Sequence, residues 1–557
     1  MATSTPPNPP TSSSNSNSST TSTGKKTINL ALLSGDGLPI SGLLTTFRNV
    51  LDLDLQAHTP SSSSDPPLIR LPIPTDLGYS WRPDKAAFFP RGPASTFYPA
   101  WLAVTAATPV TDPGYAAELL RIRRAVALPD SLLSGPQREE LRARIDAIAA
   151  PYQRHLERWL EENDIDWVVA VNMTLSDAVP VTTALHRAAA QRWGPGCGSG
   201  SGSGSGTESG RRRPGGVLFW DHDLLSSYAV HENNERVYPL VPNEFTLVPQ
   251  DVPWHVWAIV SEVLEPETTL YPTEARALVV PNVLPILGNG EVAVKADITF
   301  QSFLGDFELL EGVGHGRPVL LCPNRIFPVK GIEISIRVLA AVKEASVKRG
   351  LPAPYLLIFG DPEEDPAYAA ELQALGREEG LVDDIRFLGG VPLCSGFKGS
   401  KAMLDEKDLL RLAAATHGGV VYTPSTANVE SVGLGPALAS IAGLPFVVSK
   451  FNALRQMYGD DLQGVFLDTS GPQGFELAAE SFVDMMEASK HGSATRGQHM
   501  DWSKMAQQNK TLMLKKFPLR PWKDLLLRMA VDGGVDTHRI LEAQAALGIL
   551  ESIAPRV

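Results

Sequence analysis

The sequence predicts an α/β protein built as two parallel-sheet domains. Its 557 residues, 43% of them hydrophobic, are enough for two cores. From Pro318 to Ser449, short apolar runs alternate with segments of helical periodicity. Earlier apolar runs at 27–33, 166–171 and 217–220 each end in glycine or polar residues, the mark of a strand running into a loop. Strand and helix in alternation imply parallel pairing.

Residues 1–26 are mostly Ser, Thr, Asn and Pro without an apolar core, which predicts a disordered tail. The first domain, 27–300, opens with a strand over 27–33, a glycine loop from Ser34 to Gly42, and a helix from Leu43. Residues 61–65 form a soft joint, and 113–163 are helical, with Leu119, Leu120, Ile122 and then Leu141, Ile145, Ile148 at helical spacing. The strand over 166–172 precedes a helix containing His186. A Gly/Ser-rich insertion, 194–216, loops out at a small entropic cost. The strand over 217–221 then runs into His222-Asp223. Gly312-x-Gly314-x-Gly316 precedes a strand instead of following one, so the context of a dinucleotide motif is reversed and 301–316 reads as a hinge.

The second domain, 317–490, starts with an apolar strand from Pro318, a Pro-punctuated loop carrying Arg325, and a helix from Lys330-Gly331. Both cations therefore sit at a strand's carboxyl end, where open α/β sheets bind ligands and helix ends attract phosphate. A planar guanidinium beside a point ammonium suits a diphosphate, although the pair alone also fits ordinary solvated charges. A second strand ends in Gly360-Asp361, a helix with Pro in its first turn spans 366–380, and a third strand runs through Leu388 to Gly389-Gly390. Glycine at these ends lets a base or ribose approach the backbone. A helix over 408–414, a strand over 419–422, a loop carrying Ser425, the turn Glu430-Ser-Val-Gly433-Leu434-Gly435 into a helix, and a strand over 446–449 follow. Residues 491–557 read as closing helices.

Arg325-x4-Lys330-Gly, Phe387-Leu388-Gly389, Tyr422-x-Pro-Ser425, Glu430-x-x-Gly433-Leu434 and Ala-Gly443-Leu-Pro445 stand in one order. In that order the chain resembles glycosyltransferase family 4, retaining enzymes of the B-type fold with two Rossmann-like domains facing across a cleft. The resemblance implies that C-terminal helices cross back to the first domain. It implies transfer of a hexosyl unit from a nucleotide-diphosphate sugar to a hydroxyl acceptor, with no cofactor besides that donor and no metal. It further implies a catalytic set of Arg325 and Lys330 on the diphosphate, Glu430 on the sugar hydroxyls and His222 facing the sugar or acceptor. The donor-binding set it implies is Gly42, Gly360, Asp361, Leu388, Gly389, Ser425, Gly433 and Leu434. The family pattern is Glu-x7-Glu, and Leu438 stands where the second glutamate would bond the nucleotide ribose. Losing one charge-assisted bond costs about 1.5 to 3 kcal/mol, an effect on affinity more than on chemistry. Two other readings stay open: a phosphorylase of similar fold, and a non-catalytic sugar-nucleotide or protein-binding module.

A net charge of −13 and a pI near 5.4 argue against a nucleic-acid partner. No run of eighteen apolar residues exists, so no integral membrane contact is expected. The three cysteines, Cys197, Cys322 and Cys394, have neither disulfide nor metal spacing, which implies a reduced, cytoplasmic setting. Asp221-His222-Asp223 has the spacing of a metal pair, but its place at a strand end favours sugar contact.

Overall fold

The computed structural model describes residues 27–35, 42–57, 67–78, 81–82, 98–105, 114–128, 132–195, 215–224, 231–232, 235–236, 239, 241–287, 299–424, 430–491, 501–531 and 535–542. The tail, most of the Gly/Ser insertion, Cys197 and Ser425 lie outside them.

Among the described residues nine strands belong to the first domain: β1 (Leu30–Ser34), β2 (Ile73–Asp76), β3 (Leu102–Val104), β4 (Trp167–Val171), β5 (Gly216–Asp221), a small hairpin β6 (His231–Glu232) and β7 (Glu235–Arg236), β8 (His255–Ile259) and β9 (Ala277–Val279). Set apart from the hairpin, they form one parallel sheet in the order β3-β2-β1-β4-β5-β8-β9. Strands β1, β4, β5 and β8 are buried at every position, which is why they read as continuous apolar runs. Helices α1 (Gly42–Ala57), α2 (Tyr115–Ala127), α3 (Gly135–Glu162), α4 (Val179–Trp193) and the single turn α5 (Glu265–Thr268) accompany this sheet. Ser134 and Gln137 close a capping box at the start of α3, and Pro136 falls in its first turn.

The second domain opens with two short helices, α6 (Phe300–Asp306) and α7 (Leu310–Gly314). Both overlap the segment read as a hinge, 301–316. The segment is helical and packed: Asp306 Oδ2 accepts from the Ala402 N–H at 2.7 Å, and the Phe307 carbonyl accepts from Arg386 Nε at 2.9 Å. A Cβ on Gly312 would meet the Tyr355 hydroxyl at 2.0 Å, so that glycine serves close packing instead of bending.

Strands β10 (Val319–Cys322), β11 (Tyr355–Ile358), β12 (Ile385–Phe387), the hairpin β13 (Gly396–Lys398) and β14 (Lys401–Met403), β15 (Gly419–Tyr422), β16 (Phe446–Ser449) and β17 (Val465–Leu467) follow. Apart from the hairpin they too form one parallel sheet, ordered β12-β11-β10-β15-β16-β17. Its helices are α8 (Ile332–Lys348), α9 (Pro366–Glu378), α10 (Glu406–Ala415), α11 (Gly435–Ala442), α12 (Leu454–Tyr458) and α13 (Pro472–His491); α14 (Trp502–Lys516) and α15 (Arg520–Val531) close the chain. The hairpin before α10 has no counterpart in the sequence reading.

Each sheet reverses its strand order once, between β1 and β4 and between β10 and β15. Such switch points open a crevice beyond the carboxyl ends of the strands, and here the two crevices share a cleft. Helix α15 returns to the first domain as the resemblance implies: Trp522 Nε1 donates to the Pro281 carbonyl at 3.0 Å, and its ring stands edge-on to Trp220, centroids 4.8 Å apart. At the cleft rim α1 meets the start of α10. Arg48 lies 3.7 Å from Asp405 and 3.8 Å from Glu406, and Lys407 Nζ bonds Asp52 Oδ2 at 2.7 Å. Among the described residues no helix is long and apolar enough to cross a membrane.

Candidate functional site

The cleft holds a cavity of about 240 Å³ lined from both domains. On the second-domain side the loop after β10 carries Arg325, whose Nε bonds Glu364 Oε1 at 2.9 Å; the other oxygen of Glu364 accepts from the Ile326 N–H at 2.6 Å. The Arg325 guanidinium also lies over the Phe327 ring, 4.8 Å from its centroid. A short 3₁₀ turn delivers Lys330, and Gly331 takes a left-handed conformation, φ 58°, to turn the chain into α8. Lys330 Nζ donates to Glu430 Oε1.

Glu430 is embedded among tyrosines. Burial, reinforced by the Glu430 carboxylate, raises the Tyr422 phenol well above its ordinary value, so it stays protonated. Tyr458 donates to the Gly433 carbonyl at 2.7 Å, which fixes the turn into α11. Gly433 is left-handed, φ 65°, and a Cβ there would meet the Phe451 ring at 2.5 Å. Two constraints thus demand glycine where the backbone lines the cavity.

The first domain contributes Gly42, Asn49, Asn172, His222, Asp223 and Asn282. Asn172 sits at φ 53° just beyond β4, and its Oδ1 accepts from the His222 N–H at 2.6 Å. Such strain in a non-glycine residue clusters at functional sites. Burial drives His222 down to about 3, leaving a neutral imidazole whose Nε2 has no hydrogen-bond partner among the described residues. Asn282 Oδ1 is likewise buried without a partner among them. An unsatisfied buried polar atom is destabilising by about 1 to 3 kcal/mol, and two of them in one cleft wall suit a ligand rich in hydroxyls.

The predicted residues divide as follows. Arg325, Lys330, Glu430, His222, Gly42, Gly433 and Leu434 all line the cavity. Gly360, Asp361, Leu388 and Gly389 do not, although Phe359 and Val391 from the same strand ends do. A Cβ on Gly360 would strike the Ile326 nitrogen at 2.5 Å, so its missing side chain admits a protein loop and not a ligand. Asp361 caps the following 3₁₀ turn through the Glu363 N–H at 3.1 Å. Leu388 is a core residue, 4% exposed. Gly389 is left-handed, φ 69°, and its carbonyl accepts from Lys398 Nζ at 3.0 Å. Asp221 turns away into the core, where its Oδ2 accepts from Trp257 Nε1 at 2.8 Å. Leu438 lines the cavity as read.

The sequence reading missed Asn172, Asn282, Glu364 and Glu406. Asn172 and Asn282 each stand at the end of an apolar run, a signal that could have flagged them. Glu364 lies in an acidic run, 361–365, where one carboxylate cannot be told from another without the fold.

No family model matches the chain. Over 191 residues, 34% of its length, it is 24% identical to the D-inositol 3-phosphate glycosyltransferase of Jonesia denitrificans; the matched stretch spans 41% of that protein. Similar solved structures include WaaG, a glycosyltransferase involved in lipopolysaccharide biosynthesis, at 13% identity over 90% of this chain and 99% of that one, TM-score 0.45. Another is HepE of Anabaena in complex with UDP and glucose, at 12% identity over 90% and 99%, TM-score 0.46. Sucrose-phosphate synthase from Thermosynechococcus elongatus is 13% identical over 92% and 99%, TM-score 0.49.

Proposed function

We propose that this chain is a retaining glycosyltransferase that moves a hexosyl unit from a nucleotide-diphosphate sugar to a hydroxyl acceptor. The observation that carries the reading is the meeting, in one cleft, of Arg325, Lys330 and Glu430 with the unsatisfied His222 Nε2 and Asn282 Oδ1 of the opposite domain. Arg325 and Lys330 receive the diphosphate, joined by backbone N–H groups at Gly433-Leu434 where α11 begins. As the bond between the anomeric carbon and the phosphate oxygen breaks, the electron pair stays on the diphosphate, and these cations stabilise it. Glu430, held by Lys330, orients the sugar hydroxyls. His222 at about 3 is too weak a base to deprotonate the acceptor, so its neutral ring bonds a hydroxyl instead. The acceptor's proton then passes to the departing phosphate oxygen as the new glycosidic bond forms on the same face. Closure of the two domains excludes the water that would hydrolyse the donor. A cytoplasmic setting accords with the buried Cys322 thiol, which forms no disulfide among the described residues.

Hydrolysis of UDP-, GDP- and ADP-hexoses by the purified protein and by Lys330→Ala tests this. One donor should turn over slowly, and Lys330→Ala should lower the rate about 10²- to 10³-fold. Rates indifferent to Lys330 would reject the reading. Leu438 favours one second reading, a module that binds a nucleotide sugar without turnover; tight donor binding with no hydrolysis and no transfer would establish it.

A further inference from the structure

The nucleotide needs a partner for its ribose, and Leu438, 4% exposed on the cavity wall, offers none. Among the described residues three carboxylates line the cavity: Asp223, Glu430 and Glu406. Asp223 belongs to the first domain, across the cleft from the diphosphate cations. Glu430 is ion-paired to Lys330. Glu406 differs from both. It is the first residue of α10, a helix packed against α11, the helix that carries Leu438. Among the described residues no donor hydrogen-bonds its carboxylate; the nearest cation, Arg48 Nη2, stands 3.8 Å away and itself donates to Asn49 Oδ1 at 3.0 Å. Burial pushes the Glu406 carboxyl up to about 7 against the pull of Arg48, with Asp405 raising it further and Lys407 opposing. The Glu406 side chain is 16% exposed at the cleft, so a ligand can reach a carboxylate whose oxygens hold no hydrogen bond from the described residues.

We propose that Glu406 takes the place of the carboxylate missing at position 438 and receives the 2′- and 3′-hydroxyls of the nucleotide ribose. This rests on the glycosyltransferase reading above. A vicinal diol presents two O–H donors side by side, and a carboxylate accepts both. Because Arg48 steadies Glu406 from the first domain, the ribose site is complete only with the cleft closed.

The test is calorimetric titration of UDP, GDP and ADP, each with its 2′-deoxy counterpart, into the wild-type chain, Glu406→Gln, Glu406→Leu, Lys330→Ala and the double variant Glu406→Leu with Leu438→Glu. In the wild type, the ribonucleotide that binds should exceed its deoxy form by about 10-fold or more. Glu406→Gln and Glu406→Leu should weaken the ribonucleotide and erase that discrimination, and Leu438→Glu should restore it. Should Lys330-dependent binding persist with its ribose discrimination untouched in Glu406→Gln, the inference fails while the transferase reading stands. If none of the three nucleotides binds the wild type, both fail. The isosteric Gln variant keeps the result readable if Leu perturbs folding.

Discussion

Glu364 decides where the Arg325 guanidinium points, because one carboxylate oxygen bonds its Nε and the other the next backbone N–H. Its side chain is fully buried. Glu364→Gln keeps the shape but leaves one of these two donors facing an N–H₂ group, so nucleoside diphosphate affinity should fall about tenfold and stability should drop by about 1 to 3 kcal/mol. Unchanged affinity would mean that the surrounding loop, and not the carboxylate, holds the arginine. His255 bears on stability alone. Burial, then the neighbouring His186 ring 4.8 Å away, drives it from 6.5 to about 2. Its folded value lies below its unfolded one, so the unfolded chain binds the extra proton and stability falls as pH drops below 6.5. Between pH 7 and pH 5 the wild type should lose roughly 2 kcal/mol more in urea unfolding than His255→Phe. Equal losses would show that the ring charges without penalty.

The glycines around the cleft differ in what an added side chain would meet. Gly360→Ala drives a methyl into the Ile326 backbone and displaces the arginine loop; it should lower stability by about 1 to 3 kcal/mol and weaken nucleotide binding with it. Gly42, at the start of α1, lines the cavity, yet a Cβ placed there would meet nothing within 4 Å. Gly42→Ala should leave the unfolding midpoint in place and reduce donor affinity only. A common effect of the two on stability would refute the distinction. This contrast also marks how far the sequence was legible. Strands buried on both faces announce themselves as apolar runs, and a strand end or a motif brackets each of Arg325, Lys330, Glu430, His222 and Gly433, candidates that line the cavity. The packing of Gly360 is not legible in the sequence, because its steric partner, Ile326, is fixed by pairing of β10 with β11 and not by neighbouring residues. Glu364 and Glu406 act on residues 39 and 358 positions away, beyond any local pattern. The hairpin before α10 and the packed helices α6 and α7 likewise take their form from contacts distant in sequence.

At the scale of the molecule, Trp522 is the tie between the C-terminal helices and the first domain. It is 1% exposed, with its N–H bonded to Pro281 and its ring on Trp220. Trp522→Ala should lower stability by about 3 to 5 kcal/mol, read from urea denaturation followed by tryptophan fluorescence. A loss below about 1 kcal/mol would mean that α15 rides on the surface. Arg48 and Asp52 lie on α1, while Asp405, Glu406 and Lys407 stand at the start of α10, so any relative movement of the two domains would part or rejoin these rim charges as a set.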